Sequence, residues 1–88
     1  MCWLYVLRSE KDSRLYTGIA SDLVRRLREH NQGKVKSTRA RRPLVLAYSE
    51  RFATKSEART RELYFKTPEG GVLKRKLVER AKTGDTST

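Results

Sequence analysis

The stretch LYTGIASDLVRRLREHN, residues 15–31, changes its periodicity halfway along. Its first residues, RLYTGI when Arg14 is included, read as a strand. Ser21 or Asp22 then stands where a helix N-cap belongs, because a short polar side chain there can accept from a free backbone N–H. Leu23 and Leu27 follow at i and i+4, with Val24 beside them, which predicts the buried stripe of a short helix to about Asn31. Gly33 is a plausible stop. A strand running directly into a capped helix is the pivot of the chain. Packing accounts for the leucines but not for Tyr16, Gly18, Arg26 and His30.

Upstream, CWLYVLR (2–8) is rich in aromatic and β-branched residues, and the polar SEKDS joins it to the strand in residues 14–19, predicting a hairpin over 2–19. Downstream, KVKSTRARR (34–42) holds five basic residues and no acid. Pro43 opens PLVLAYSERF, a third strand. Thr54 and Glu57 have capping-box spacing, so a helix should start there, run through ARTRELYFK and stop before Pro68. Gly70 and Gly71 should separate it from a last helix, on which Leu73, Leu77 and Ala81 repeat every fourth residue. The order β-β-α-β-α-α predicts an α+β domain, a small three-stranded antiparallel sheet flanked by three helices. The domain is expected over residues 1–82, with 83–88 a disordered C-terminal tail.

The chain has 88 residues, enough to bury only roughly 60–65% of the unfolded surface, so a single core is expected. Its 21 basic and 10 acidic residues give a net charge of +11, a field that favours polyanions, nucleic acid first among them. A membrane is the poorer partner: the longest apolar run, CWLYVL, is far short of the ~20 residues of a span. The start lacks a charged leader and cleavage site, and Cys2 is the only cysteine, which leaves no intramolecular disulfide or thiolate zinc site. A soluble cytoplasmic protein is the expectation.

Four groups of residues are candidates for chemistry. Tyr5 and Tyr16 lie one on each hairpin strand and could be cross-strand packing. Arg26 and His30, at i and i+4, share a helix face; they are either a solvated basic face or two donors for a phosphate, with the histidine titrating near neutral pH. Glu62 shares a helix face with Ala58 and Phe65, which should pack inward. Such a carboxylate needs a partner: Arg59 or Arg61 on the same helix, or a divalent cation. Finally Lys34, Lys36, Arg39, Arg41 and Arg42 repel one another, and a nucleic-acid backbone would relieve that.

Taken together these residues have a recognisable order. LYVL is followed by YTG, with Tyr16 eleven residues after Tyr5; Arg26 and His30 lie ten and fourteen residues after Tyr16; Glu62 stands within SEARTRE. The pattern resembles the GIY-YIG nuclease domain over residues 2 to about 82, and HNQGKVKSTRARRP is most similar to its small stand-alone bacterial members. Trp3, Leu4 and Thr17 depart from the glycine and two isoleucines of the name motif. The resemblance implies that Tyr5, Tyr16, Arg26, His30 and Glu62 are catalytic and that Gly18 lets a backbone or phosphate approach. It further implies one Mg²⁺ or Mn²⁺ on Glu62, Tyr16 helping to deprotonate water, Arg26 neutralising the phosphate, and Tyr5 with His30 positioning phosphate or water.

The resulting expectation is a metal-dependent endonuclease acting on DNA, single-stranded or branched. The residues do not distinguish DNA from RNA. Two alternatives stand beside it: a basic nucleic-acid-binding protein that keeps the fold without cutting, and a small basic subunit that needs a protein partner.

Overall fold

The computed structural model describes residues 1–83. The elements are β1 (Cys2–Ser9), β2 (Leu15–Ala20), α1 (Leu23–Asn31), a 3₁₀ turn (Arg39–Arg41), β3 (Leu44–Phe52), α2 (Lys55–Phe65) and α3 (Pro68–Thr83). The α+β class and element order are those expected. Thr83 closes α3, and the rest of the anticipated tail lies outside the described residues.

The sheet order is β2-β1-β3 with β1 antiparallel to both neighbours. The hairpin register sets Tyr5 opposite Gly18 and Leu7 opposite Tyr16. Side chains alternate along a strand, so these four share one face. On that face Tyr5, Leu7 and Leu44 are buried against Leu23 and Leu27 of α1. The other face carries Leu4 and Val6, packed with Phe65 of α2 and Val78 of α3. The expected single core is therefore two clusters, divided by the sheet and joined through β1, which is apolar on both sides.

Local signals explain the helix starts. Asp22 caps α1, accepting from the Arg25 backbone N–H at 3.0 Å. The capping box at α2 forms in both directions, Thr54 to Glu57 and back, each at 3.2 Å. Three expectations need correcting. Val24 is 68% exposed, because α1 turns only the flank with Leu23 and Leu27 to the sheet. Ala81 is exposed too; the inward stripe of α3 passes through Leu73, Leu77 and Val78.

Gly70 and Gly71 do not separate the last two helices but lie inside α3. Proline fits a first helical turn, where its missing N–H costs nothing. The Thr67 hydroxyl accepts from the Gly70 N–H at 3.0 Å, which anchors the turn. A Cβ at Gly70 would collide with the carbonyl oxygen of Tyr64, so glycine is required here by the close approach of α2 and α3.

Two polar side chains position the loop between α1 and β3. The Asn31 amide pairs with both backbone groups of Leu44, donating at 2.9 Å and accepting at 2.7 Å, as a neighbouring strand would. Ser9, fully buried, donates to the Arg41 carbonyl at 2.7 Å and accepts from the N–H groups of Lys11 and Asp12. It ties the hairpin turn to the 3₁₀ turn.

Candidate active site

The α1 face of the sheet brings four of the expected residues together. The rings of Tyr5 and Tyr16 lie 6.4 Å apart, and His30 stands edge-on to both, at 5.7 and 5.2 Å. Arg26 reaches in from one turn earlier on α1, its Nε donating to the Tyr5 hydroxyl at 3.4 Å, while its Nη1 holds Glu29 at 3.1 Å. Gly18 makes room for this cluster. A Cβ there would fall 2.5 Å from the Tyr5 hydroxyl, so a phenol fills the space in which a backbone or phosphate was expected.

His30 is fully buried, as is Thr38, which neither composition nor spacing singles out. The two imidazole nitrogens are both engaged: Nε2 with the Tyr5 hydroxyl at 3.0 Å, Nδ1 with the Thr38 hydroxyl at 2.7 Å. Thr38 in turn donates to the Val35 carbonyl at 3.5 Å. A neutral imidazole has one donor and one acceptor. With the Thr38 proton directed at Val35, Nδ1–H donates to Thr38, and Nε2 accepts the Tyr5 proton. The chain of donors thus runs from Arg26 through Tyr5, His30 and Thr38 to a backbone carbonyl.

The charges follow from that enclosure. Burial, helped by the Arg26 cation, lowers the His30 pKa to about 4. The histidine expected to titrate near neutral pH, and to lie on a solvated face or meet a phosphate, is instead an uncharged ring behind Tyr5. Burial also raises the Tyr5 pKa, opposed by the hydrogen bond from Arg26. Arg26 itself is held more firmly protonated, chiefly by that bond and next by Glu29. At neutral pH the inner pair is neutral and one fixed cation stands at its rim.

Two of the four residues remain open to solvent. The Arg26 side chain is 38% exposed and borders a shallow groove with Ile19, Ser21 and Asp22. Tyr16 is half-buried, and its hydroxyl has no hydrogen-bond partner among the described residues. The cluster therefore presents a cation and a free phenol outward.

Glu62 is not hydrogen-bonded to these four. It lies on α2 with Phe65, whose ring packs in the opposite cluster, and is 6% exposed. Its carboxylate takes Arg59 at 3.0 Å and Lys66 at 3.3 Å, whereas Arg61 turns away to a two-pronged pair with Glu50 at 3.0 Å each. The ion-pair alternative is thus present, through Arg59. Glu62 reaches the tyrosines only through its charge, which contributes to raising Tyr5. Among the described residues no three His, Cys, Asp or Glu side chains converge. A hard cation can be held by one carboxylate with waters and substrate phosphate, and the two partners of Glu62 are more than half exposed and can swing aside. The donor set fits Mg²⁺ or Mn²⁺ on those terms.

The basic loop is folded rather than free. Val35 and Thr38 are buried beneath it, and Arg41 lies 3.9 Å from Asp12, an acid the loop itself lacks. Lys34, Lys36, Arg39 and Arg42 stay exposed, and Arg39 and Arg42 line a groove with Lys11 and Asn31.

Residues 1–75 match the family described as the GIY-YIG catalytic domain. The chain is 53% identical to a UPF0213 protein of Bacillus pumilus over 66 residues, which are 74% of this chain and 66% of that one, just under two thirds of its length. It is 47% identical to the UPF0213 protein SSP2268 of Staphylococcus saprophyticus over 74% of this chain and 79% of that one. The solution NMR structure of the UPF0213 protein BH0048 from Bacillus halodurans is similar in fold, with TM-score 0.54 and 29% identity over the full length of both chains. No helix among the described residues is long and apolar enough to cross a membrane. With Tyr5, Tyr16, Arg26 and His30 gathered on one face of the expected sheet, the chain belongs to the GIY-YIG family of nuclease domains.

Proposed function

We propose that this chain is an endonuclease that hydrolyses phosphodiester bonds in DNA, single-stranded or branched, with a divalent metal ion on Glu62. The observation that carries the reading is Tyr16, its hydroxyl unpartnered among the described residues and its ring packed against those of Tyr5 and His30, backed by Arg26 and the neutral Tyr5–His30–Thr38 chain. Hydrolysis needs a water poised to attack and a countercharge for the added negative charge on phosphorus. Tyr16 holds the attacking water and helps take its proton. Arg26, fixed by Glu29 and Tyr5, neutralises the phosphate. Tyr5 and His30 act from behind, setting the orientation of Arg26 and excluding water. A metal ion bound to Glu62 supplies Lewis-acid stabilisation of phosphate and leaving oxygens.

A second reading, a basic binder that does not cut, draws on one observation: Glu62 is already neutralised by two cations. A cleavage screen over single-stranded, branched and duplex DNA and over RNA, with and without Mg²⁺ or Mn²⁺, separates the two. Cleavage that needs the metal is the expected result. Binding with no cleavage under either ion would favour the second reading. Glu62→Ala should abolish cutting while DNA affinity holds or rises, since the change removes a negative charge. Undiminished cutting by that variant at saturating Mg²⁺ would remove Glu62 from the metal site.

A further inference from the structure

We propose that the basic hollow between the β1–β2 turn and α3, lined by Ser13, Arg14, Leu15, Arg41, Lys74 and Arg75, is a second seat for the phosphodiester backbone of a bound nucleic acid. The inference rests on the nucleic-acid reading above and adds where the strand is held beyond the loop of residues 34–42. The hollow gathers four cations from three parts of the chain. Asp12 stands 3.9 Å from Arg41 and accepts from the Arg14 backbone N–H at 2.9 Å, so it partly offsets those two cations, but among the described residues no carboxylate forms an ion pair with Lys74 or Arg75.

Lys74 is the built part of the site. Its ammonium is half-buried and donates to the hydroxyl of Thr17 at 3.2 Å. Thr17 is only 5% exposed, so the cation is anchored to β2 rather than waving in solvent. Burial lowers the Lys74 pKa, and the charges of Arg75 and Lys66 push the same way. A bound anion would offset those penalties by its opposite charge. The two outer arginines are exposed and offer forked donors suited to phosphate oxygens.

Its position argues for a polymer rather than a free anion. Arg41 borders this hollow, while its neighbours Arg39 and Arg42 border the groove on the other side of the 3₁₀ turn. On the hairpin turn Lys11 borders that groove and Arg14 the hollow, with the acid Asp12 between them. Thr17 follows Tyr16 on β2 but points to the opposite face of the sheet, so a phosphate at Lys74 lies across β2 from the tyrosine that faces the reaction.

The test measures affinity for a single-stranded DNA oligonucleotide, in chelator and across a salt series, so that no cleavage intervenes. Arg14→Ala with Arg75→Ala should reduce the log–log salt slope by about 1.4, since each contact to a single strand contributes about 0.7. Lys74→Gln, which keeps a hydrogen-bonding group for Thr17, should reduce it by about 0.7. An unchanged slope in both variants, when an Arg39→Ala/Arg42→Ala chain does lose slope, overturns the second seat and leaves the wider reading standing. If the wild-type chain shows no salt-dependent DNA binding at all, both fall together. Inorganic phosphate at matched ionic strength should compete no better than chloride. Selective competition by phosphate, lost in the arginine variant, would assign the hollow to a free anion instead.

Discussion

At the scale of single residues, the two tyrosines should separate activity from stability. Tyr16 has a free hydroxyl, so Tyr16→Phe removes a group from the reaction and from nothing else; a loss of about 10²–10⁴-fold in cleavage with an unchanged melting temperature is expected. Tyr5→Phe leaves the buried Nε2 of His30 without a donor, at a cost of about 1–3 kcal/mol, and lowers activity less. Kinetics and thermal melts on both variants check this inverted order; equal behaviour would make the pair simple packing. His30 gives a pH prediction. The unfolded chain takes up its proton below about 6.5 and the folded chain only below about 4, so folding opposes protonation. Stability is therefore complete above pH 6.5 and falls by roughly 3 kcal/mol as the pH drops from 6.5 to 4. Glu29 and Asp12, held low by their hydrogen bonds, begin to give up their contributions near their ordinary values of 4.5 and 3.8 and lose them as the solution becomes more acid. Melts between pH 7 and 4.5 should show this slope, and His30→Gln should lack it.

At the scale of elements, most of the fold was legible because its starts and stops are chemical. Asp22, the Thr54–Glu57 box and Pro68 each act over one helical turn, a range that the residues themselves report. What involves two distant elements was not legible. Gly70 looks like a breaker until the carbonyl of Tyr64 is seen against it, and Thr38 looks like loop until it meets His30. The order Tyr5, Tyr16, Arg26, His30 carried the four-residue cluster, but no spacing could show that Glu62 is taken up by Arg59 and Lys66 rather than bonded to that cluster. The loop between α1 and β3 allows a direct trial. Changing Arg39, Arg41 and Arg42 together to alanine should weaken DNA binding and lower the log–log salt slope by about 0.7–0.9 per lost contact. The cutting rate at saturating DNA should change little. The anchors of this loop, Val35, Thr38 and the backbone of Arg41, are untouched, so circular dichroism should match the wild type. Normal affinity with lost turnover would place the loop inside the reaction centre.

For the whole molecule, the sheet has only three strands, and the middle one does double duty. β1 is paired along both edges and covered on both faces, by α1 on one side and by α2 and α3 on the other. Neither cluster can open without exposing the backbone that serves the other. No part of the chain centred on β1 is therefore free to come apart alone, and the domain should behave as one cooperative unit. The amide hydrogens of Leu4, Tyr5, Val6 and Leu7 should exchange with solvent deuterium only when everything unfolds, at the free energy obtained from denaturant melts. The turn at residues 10–14 and the solvent side of α1 should exchange far sooner. Protection of Tyr5 that lags behind that of Leu4 would show the two sides to be separable. Tyr5, which backs the candidate site, and the apolar core share one strand, so this protein cannot soften that site without loosening its entire fold.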